Sequence, residues 1–115
     1  MSQLAYHEQK DIENIKKLRF LIKELPPFCV DFFRGIEPRT SSRTRIAYAY
    51  DLHVFFDFLT LENPVFRNLD RTSIRLDLME QLTVNDLEEY MEFLKYRFNG
   101  KNQEVINKER GIMRK

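Results

Sequence analysis

The densest concentration of chemistry-capable groups lies in Arg39-Thr40-Ser41-Ser42-Arg43-Thr44-Arg45. Three guanidiniums, four hydroxyls and the unpaired amides of a helix start fall within seven residues, and each of these groups donates to phosphate oxygen. A second cluster follows, in which Lys95, Arg97, Lys101, Lys108, Arg110, Arg114 and Lys115 are interspersed with Asn102, Gln103 and Asn107. Carboxamides beside cations are the side chains that read base edges while the cations hold the phosphates. The plainer reading of both stretches is a capped helix start and a solvated basic surface. Their joint occurrence favours a nucleic-acid-binding face.

Catalysis has little to stand on. His7 lies in a polar leader and His53 on the expected outer face of a long helix, so both read as structural or solvated. Glu88 and Glu89 are adjacent and therefore point in different directions on a helix. Tyr48 falls between Thr44 and Leu52 on an apolar stripe and is expected to pack inward, not to serve as a nucleophile. Cys29, the only cysteine, stands among aromatic residues and reads as a small buried apolar residue. With two separated histidines and one cysteine there is no metal-ligand spacing, and there is no glycine-rich phosphate loop. The sequence calls for no catalytic residue, metal or cofactor.

The elements that must position the basic residues are helical. Spacings of three and four recur, only three Gly and four Pro occur, and no run alternates in the manner of a strand. Ile12, Ile15, Leu18, Ile22 and Leu25 predict a first helix over about 8–24, stopped by Pro26-Pro27. Phe28, Phe32, Phe33 and Ile36 predict a short second helix ending around Gly35 and Pro38. Thr40, Ser41 and Ser42 offer N-caps for a third, whose stripe is Thr44, Tyr48, Leu52, Phe55 and Leu59, closed by Asn63-Pro64. The Phe residues at 28, 32, 33, 55, 56 and 58 are assigned to the interior. Residues 65–81 predict a loop with one or two helical turns. Thr83 and Asp86 form a capping-box pattern ahead of a fourth helix with the stripe Val84, Leu87, Met91 and Leu94. A fifth helix is expected from about Gln103, with the chain stopping inside it.

A chain of 115 residues with 43% hydrophobic and 32% charged residues fits one globular domain and excludes disordered and fibrous classes. The expected architecture is all-α, a single compact bundle of four to five helices occupying residues 1–115. No uncharged apolar run approaches a membrane span or a signal sequence, so a cytoplasmic location without membrane association is expected. The net charge of +1 conceals strong asymmetry. Residues 39–45 carry three basic side chains and no acid, residues 46–94 three basic against ten acidic, and residues 95–115 seven basic against two acidic. Such a distribution predicts a basic face on an acidic body.

The string Thr44-x-x-x-Tyr48-x-x-Asp51-Leu52-x-x-Phe55, preceded by Ser41 and followed by Phe58-Leu59, resembles the signature helix of the N-terminal core-binding domain of tyrosine recombinases, the phage-integrase family. The aromatic helix before it and Leu82-Thr83-x-x-Asp86-Leu87-x-x-Tyr90-Met91-x-x-Leu94 after it are similar in order and type. The resemblance covers roughly residues 10–113 and implies a SAM-like helical bundle that packs against one side of a recombination site. It also implies that the nucleophilic tyrosine and its electrostatic partners lie in a separate C-terminal catalytic domain. The DNA-contact role falls on Arg39, Ser41, Ser42, Arg43, Thr44 and Arg45, and on Lys101, Asn102, Lys108 and Arg110 at the start of the last helix. The implied partners are double-stranded DNA, the C-terminal catalytic domain and sister recombinase protomers. The acidic middle segment and the long first helix keep a rival open, a helical protein-protein interaction module that does not bind DNA.

Overall fold

The computed structural model of the chain describes residues 6–99. Their regular structure is entirely helical: α1 (Tyr6–Lys23), α2 (Cys29–Ile36), α3 (Ser42–Glu62) and α4 (Val84–Asn99), with short 3₁₀ segments at Glu37–Arg39, Arg71–Ser73 and Leu76–Gln81. The expected fifth helix, and with it Lys101, Asn102, Lys108 and Arg110, lies outside the described residues. Packing divides the chain into two units, Met1–Gln81 and Leu82–Lys115. No described helix is long and apolar enough to cross a membrane.

In the first unit α1 packs chiefly against α3. Leu18 and Leu21 of α1 are buried, Ile15 and Ile22 are half-buried, and Ile12 is exposed, so the predicted stripe is tilted toward Leu21. The turn after Lys23 tightens through Glu24 N–H to Leu21 O (3.2 Å) and Leu25 N–H to Ile22 O (3.0 Å), and buried Leu25 and Pro26 seal the corner.

Cys29 and Phe33, one turn apart, occupy the inward face of α2. An eight-residue helix has room for one such stripe, and Phe32, about 100° around the helix from Phe33, is left 46% exposed. This corrects the expectation that all six phenylalanines lie inside. Phe33, Phe56 and Phe58 are buried, and Phe28 and Phe55 are half-buried. Gly35 does not close α2 in a left-handed conformation either. The helix continues to Ile36 and narrows into the 3₁₀ turn containing Pro38.

The inward face of α3 differs from the predicted stripe. Ser42, Ala49 and Phe56 are buried at seven-residue spacing, and Asn63, seven further on, is the buried C-cap. Seven residues are almost two turns, so these four form one line along the helix. Leu59 is buried beside them, whereas Tyr48 is 41% exposed and Thr44, Leu52 and Phe55 are half-buried. The reason is steric, since Ser42 and Ala49 are small enough to let the α1 and α3 backbones approach. A ranking by hydrophobicity gives such residues no weight.

Beyond α3, Asn63 organises the turn. Its Oδ1 accepts from Val65 N–H (2.9 Å) and its backbone carbonyl accepts from Phe66 N–H (3.1 Å) and Arg67 N–H (2.8 Å). Phe66 and Ile74 are almost completely buried and pin the 65–81 segment, whose two 3₁₀ turns match the predicted loop. Asn68, at φ 74°, is the one non-glycine residue with left-handed backbone among the described residues, a conformation asparagine tolerates.

In the second unit the capping box closes reciprocally. Thr83 N–H donates to Asp86 Oδ2 (2.9 Å) and Asp86 N–H to Thr83 Oγ1 (3.1 Å). The expected core stripe of α4 is instead largely solvent-facing, with Val84, Leu87 and Met91 exposed and Leu94 half-buried. Within residues 82–115, α4 is the only described element, so no other described surface of that unit covers the stripe.

Two stability tests follow. Ala49→Leu should destabilise by about 1 to 3 kcal/mol in chemical denaturation, because an isobutyl group forces the helices apart, whereas exposed Ala47→Leu should stay near wild type. Equal midpoints for the two variants would mean that α1 does not seat on Ala49. Burial pushes the Cys29 thiol up to about 11, so thiolate is scarce at neutral pH. Iodoacetamide should therefore label Cys29 only as fast as the unit opens; rapid labelling of the folded protein would show that the thiol is accessible.

Candidate nucleic-acid interface

The start of α3 distributes its polar residues by direction. Ser41 is the N-cap: its Oγ accepts from Thr44 N–H at 3.1 Å and donates to Thr44 Oγ1 at 3.1 Å. Ser42, one residue on, points to α1, where its hydroxyl donates to Asp11 Oδ1 and accepts from Asn14 Nδ2 (3.4 Å). At 4% exposure, Ser42 belongs to the helix seam and cannot meet a phosphate from solvent. Its place among the expected contacts is corrected accordingly.

Arg45, also among the expected contacts, is engaged within the fold. Its Nη1 donates to Thr40 O (2.6 Å), Glu37 O (3.1 Å) and Thr40 Oγ1 (3.2 Å), gathering the acceptors left at the end of the 3₁₀ turn. Thr40 Oγ1 in turn donates to Ile36 O (2.7 Å). The half-buried guanidinium thus braces the loop that carries Arg39 and Ser41.

What reaches solvent is Arg39, Ser41 and Arg43, with Thr44 half-buried beside them. Neither the Arg39 nor the Arg43 side chain has a hydrogen bond or ion pair among the described residues. The first turn of α3 contains no acid, so the two cations and the amide end of a 21-residue helix add their positive potentials. This arrangement can hold anions.

The principal cluster of titratable side chains elsewhere in this unit is structural. Arg71 Nη1 donates to His53 Nδ1 (2.6 Å) and to Asp57 Oδ1 (3.0 Å), and Arg71 Nη2 lies 4.0 Å from Glu24 Oε1. The other imidazole nitrogen lies 2.9 Å from the Leu21 carbonyl, which can only accept. Those partners assign the proton to Nε2 and leave the Nδ1 lone pair for arginine. His53, expected on an outer face, is half-buried and ties the end of α1 to α3 and to the 3₁₀ turn at Arg71–Ser73. With both ring nitrogens engaged it is a strut. Its four-residue spacing to Asp57 could have been noticed in the sequence; Arg71, brought in by the fold, could not. Among the described residues no group of three His, Cys, Asp or Glu side chains could hold a metal ion.

The chain is similar to the tyrosine recombinase XerC of Caldanaerobacter subterraneus subsp. tengcongensis, 30% identical over 96 residues. The alignment covers 76% of this chain and 26% of the relative, so the chain matches about a quarter of that protein's length. No family model matches the chain, and no solved structure does. The similarity reaches well beyond the signature helix, and its subject is of the kind that the Thr44, Tyr48, Asp51, Leu52 and Phe55 pattern resembles: the chain is related to the tyrosine recombinase family.

Proposed function

We propose that this chain is the DNA-binding, core-binding domain of a site-specific tyrosine recombinase, acting on double-stranded DNA in the cytoplasm. The observation that carries the reading is the α3 start, where exposed Arg39 and Arg43 flank the Ser41 cap with no acid in the first turn. Arg39 and Arg43 neutralise phosphates, the Thr44 hydroxyl, which accepts from Ser41, offers a neutral hydrogen bond, and Arg45 keeps the loop in register. Lys101, Asn102, Lys108 and Arg110 supply a second contact segment on the same reading, and residues 1–115 act as one domain. Strand cleavage and rejoining belong to a C-terminal catalytic domain outside this chain, and sister protomers meet on the DNA. Support comes from the relationship to tyrosine recombinase XerC together with this electrostatic surface.

A second reading, a protein-interaction module, is favoured by the exposed Val84, Leu87 and Met91 on α4, and by an open groove of about 750 Å³. That groove is floored by Leu18, Leu25 and Phe33 and rimmed by Arg19, Lys23 and Arg34. Salt separates the readings, because phosphate neutralisation releases counterions and apolar docking does not. Duplex binding should weaken as salt rises, and Arg39→Ala and Arg43→Ala should each reduce the slope of log K against log salt by about 1. Arg45→Ala should instead lower the unfolding midpoint, since it removes the hydrogen bonds that the guanidinium makes to Thr40 O, Thr40 Oγ1 and Glu37 O. If Arg39→Ala and Arg43→Ala bind with the wild-type slope, the α3 start is not the interface and the interaction reading takes over.

A further inference from the structure

The rotation of α3 that brings Ala49 inward turns Tyr48 outward, next to Phe32 of α2. The two rings lie 6.4 Å apart at 55°, and Phe32 in turn meets buried Phe33 edge-on at 5.1 Å. Phe33 anchors this chain of rings in the core, so Tyr48 is held in place although 41% exposed. Its hydroxyl has no hydrogen-bond partner among the described residues. Tyr50, two residues on, is occupied differently, with the Lys17 ammonium 5.4 Å from its ring centre.

Position gives the exposed ring a meaning. Ser41, Thr44 and Tyr48 are three and then four residues apart and share one face of α3, and Thr44 to Tyr48 is a rise of about 6 Å. Exposed Asp51, one turn further, puts a negative charge where the phosphate-seeking surface must end. An aromatic ring with an unpartnered hydroxyl, between a cationic helix start and that acid, fits a sugar-phosphate backbone. The ring covers a deoxyribose and the hydroxyl donates to a phosphate oxygen.

We infer that Tyr48, backed by Phe32, is a non-ionic contact to the DNA backbone that extends the Arg39, Ser41, Arg43 and Thr44 surface one helical turn along α3. The inference rests on the DNA-binding reading and differs from it in its salt signature, because a neutral ring and hydroxyl release no counterions. The experiment measures binding of this 115-residue chain to a labelled mixed-sequence duplex across a salt series, for wild type, Tyr48→Ala, Tyr48→Phe, Phe32→Ala and Arg43→Ala. Tyr48→Ala should bind about 3- to 10-fold more weakly at every salt concentration with an unchanged slope. Tyr48→Phe should lose about 2- to 5-fold, the share of the hydroxyl, and Phe32→Ala should fall in the same direction as its support disappears. Circular dichroism guards against misfolding, and Tyr48→Phe keeps the ring packing should the alanine variant unfold.

Tyr48→Ala and Tyr48→Phe that bind like wild type, while Arg43→Ala reduces the slope, would overturn the Tyr48 contact and leave the DNA reading intact. A changed slope in Tyr48→Ala would also overturn it, by showing that the substitution acts through displaced arginines. Salt-independent or absent binding by wild type would instead sink the DNA reading on which the inference depends.

Discussion

The close approach of α1 and α3 is the constraint from which the rest of the first unit follows. It is made possible by small side chains, with Ala49 at 0% exposure and Ser42 at 4%, and is fixed in register by the Ser42 hydroxyl between Asp11 and Asn14. Once this line of α3 faces α1, every other α3 side chain has its direction set by the helical repeat of about 100° per residue. Phe56 and Leu59 enter the core, His53 comes within reach of the end of α1, and Tyr48 is carried out to solvent beside Phe32. Closeness of two backbones, more than apolar area alone, sets this orientation.

Polar groups hold the connections that helix packing leaves loose. Arg45 collects acceptors at the end of the 3₁₀ turn, Asn63 closes α3 and opens the following turn, and Arg71 joins three segments through His53, Asp57 and Glu24. Among the described residues no buried side-chain nitrogen or oxygen lacks a hydrogen-bond partner, as expected where an unmet polar group would cost more than a typical bond returns. One consequence concerns the basic loop. Of its three arginines, Arg45 is half-buried and bonded to backbone carbonyls, whereas Arg39 and Arg43 are exposed.

The relationship to the tyrosine recombinases gives this division of labour a biological frame, and α4 adds a separate element to it. A helix with a complete capping box and an exposed stripe of Val84, Leu87 and Met91 is locally well specified yet presents apolar surface to solvent. Its acids, Asp86, Glu88, Glu89 and Glu92, make it a poor phosphate contact. The chain therefore combines a cationic helix start and an acidic amphipathic helix.

Helix-forming periodicity, the Pro26-Pro27 stop, the Ser41 cap, the 65–81 loop and the Thr83 to Asp86 capping box were legible in the amino-acid order, because each depends on interactions within a few residues. The basic character of the α3 start was equally legible, since charge is counted and not folded. Tertiary packing decided which members of that start face outward. Ser41, Ser42 and Arg43 differ by about one-third of a turn each, and the side turned toward α1 was chosen by the smallness of Ala49 and Ser42, a property that apolar periodicity does not register. The same packing exposed Tyr48 and Phe32 and brought Arg71 to His53 across 18 residues of sequence. Local order wrote the helices and their caps; the fit between two helix surfaces determined which side chains were left to meet a partner.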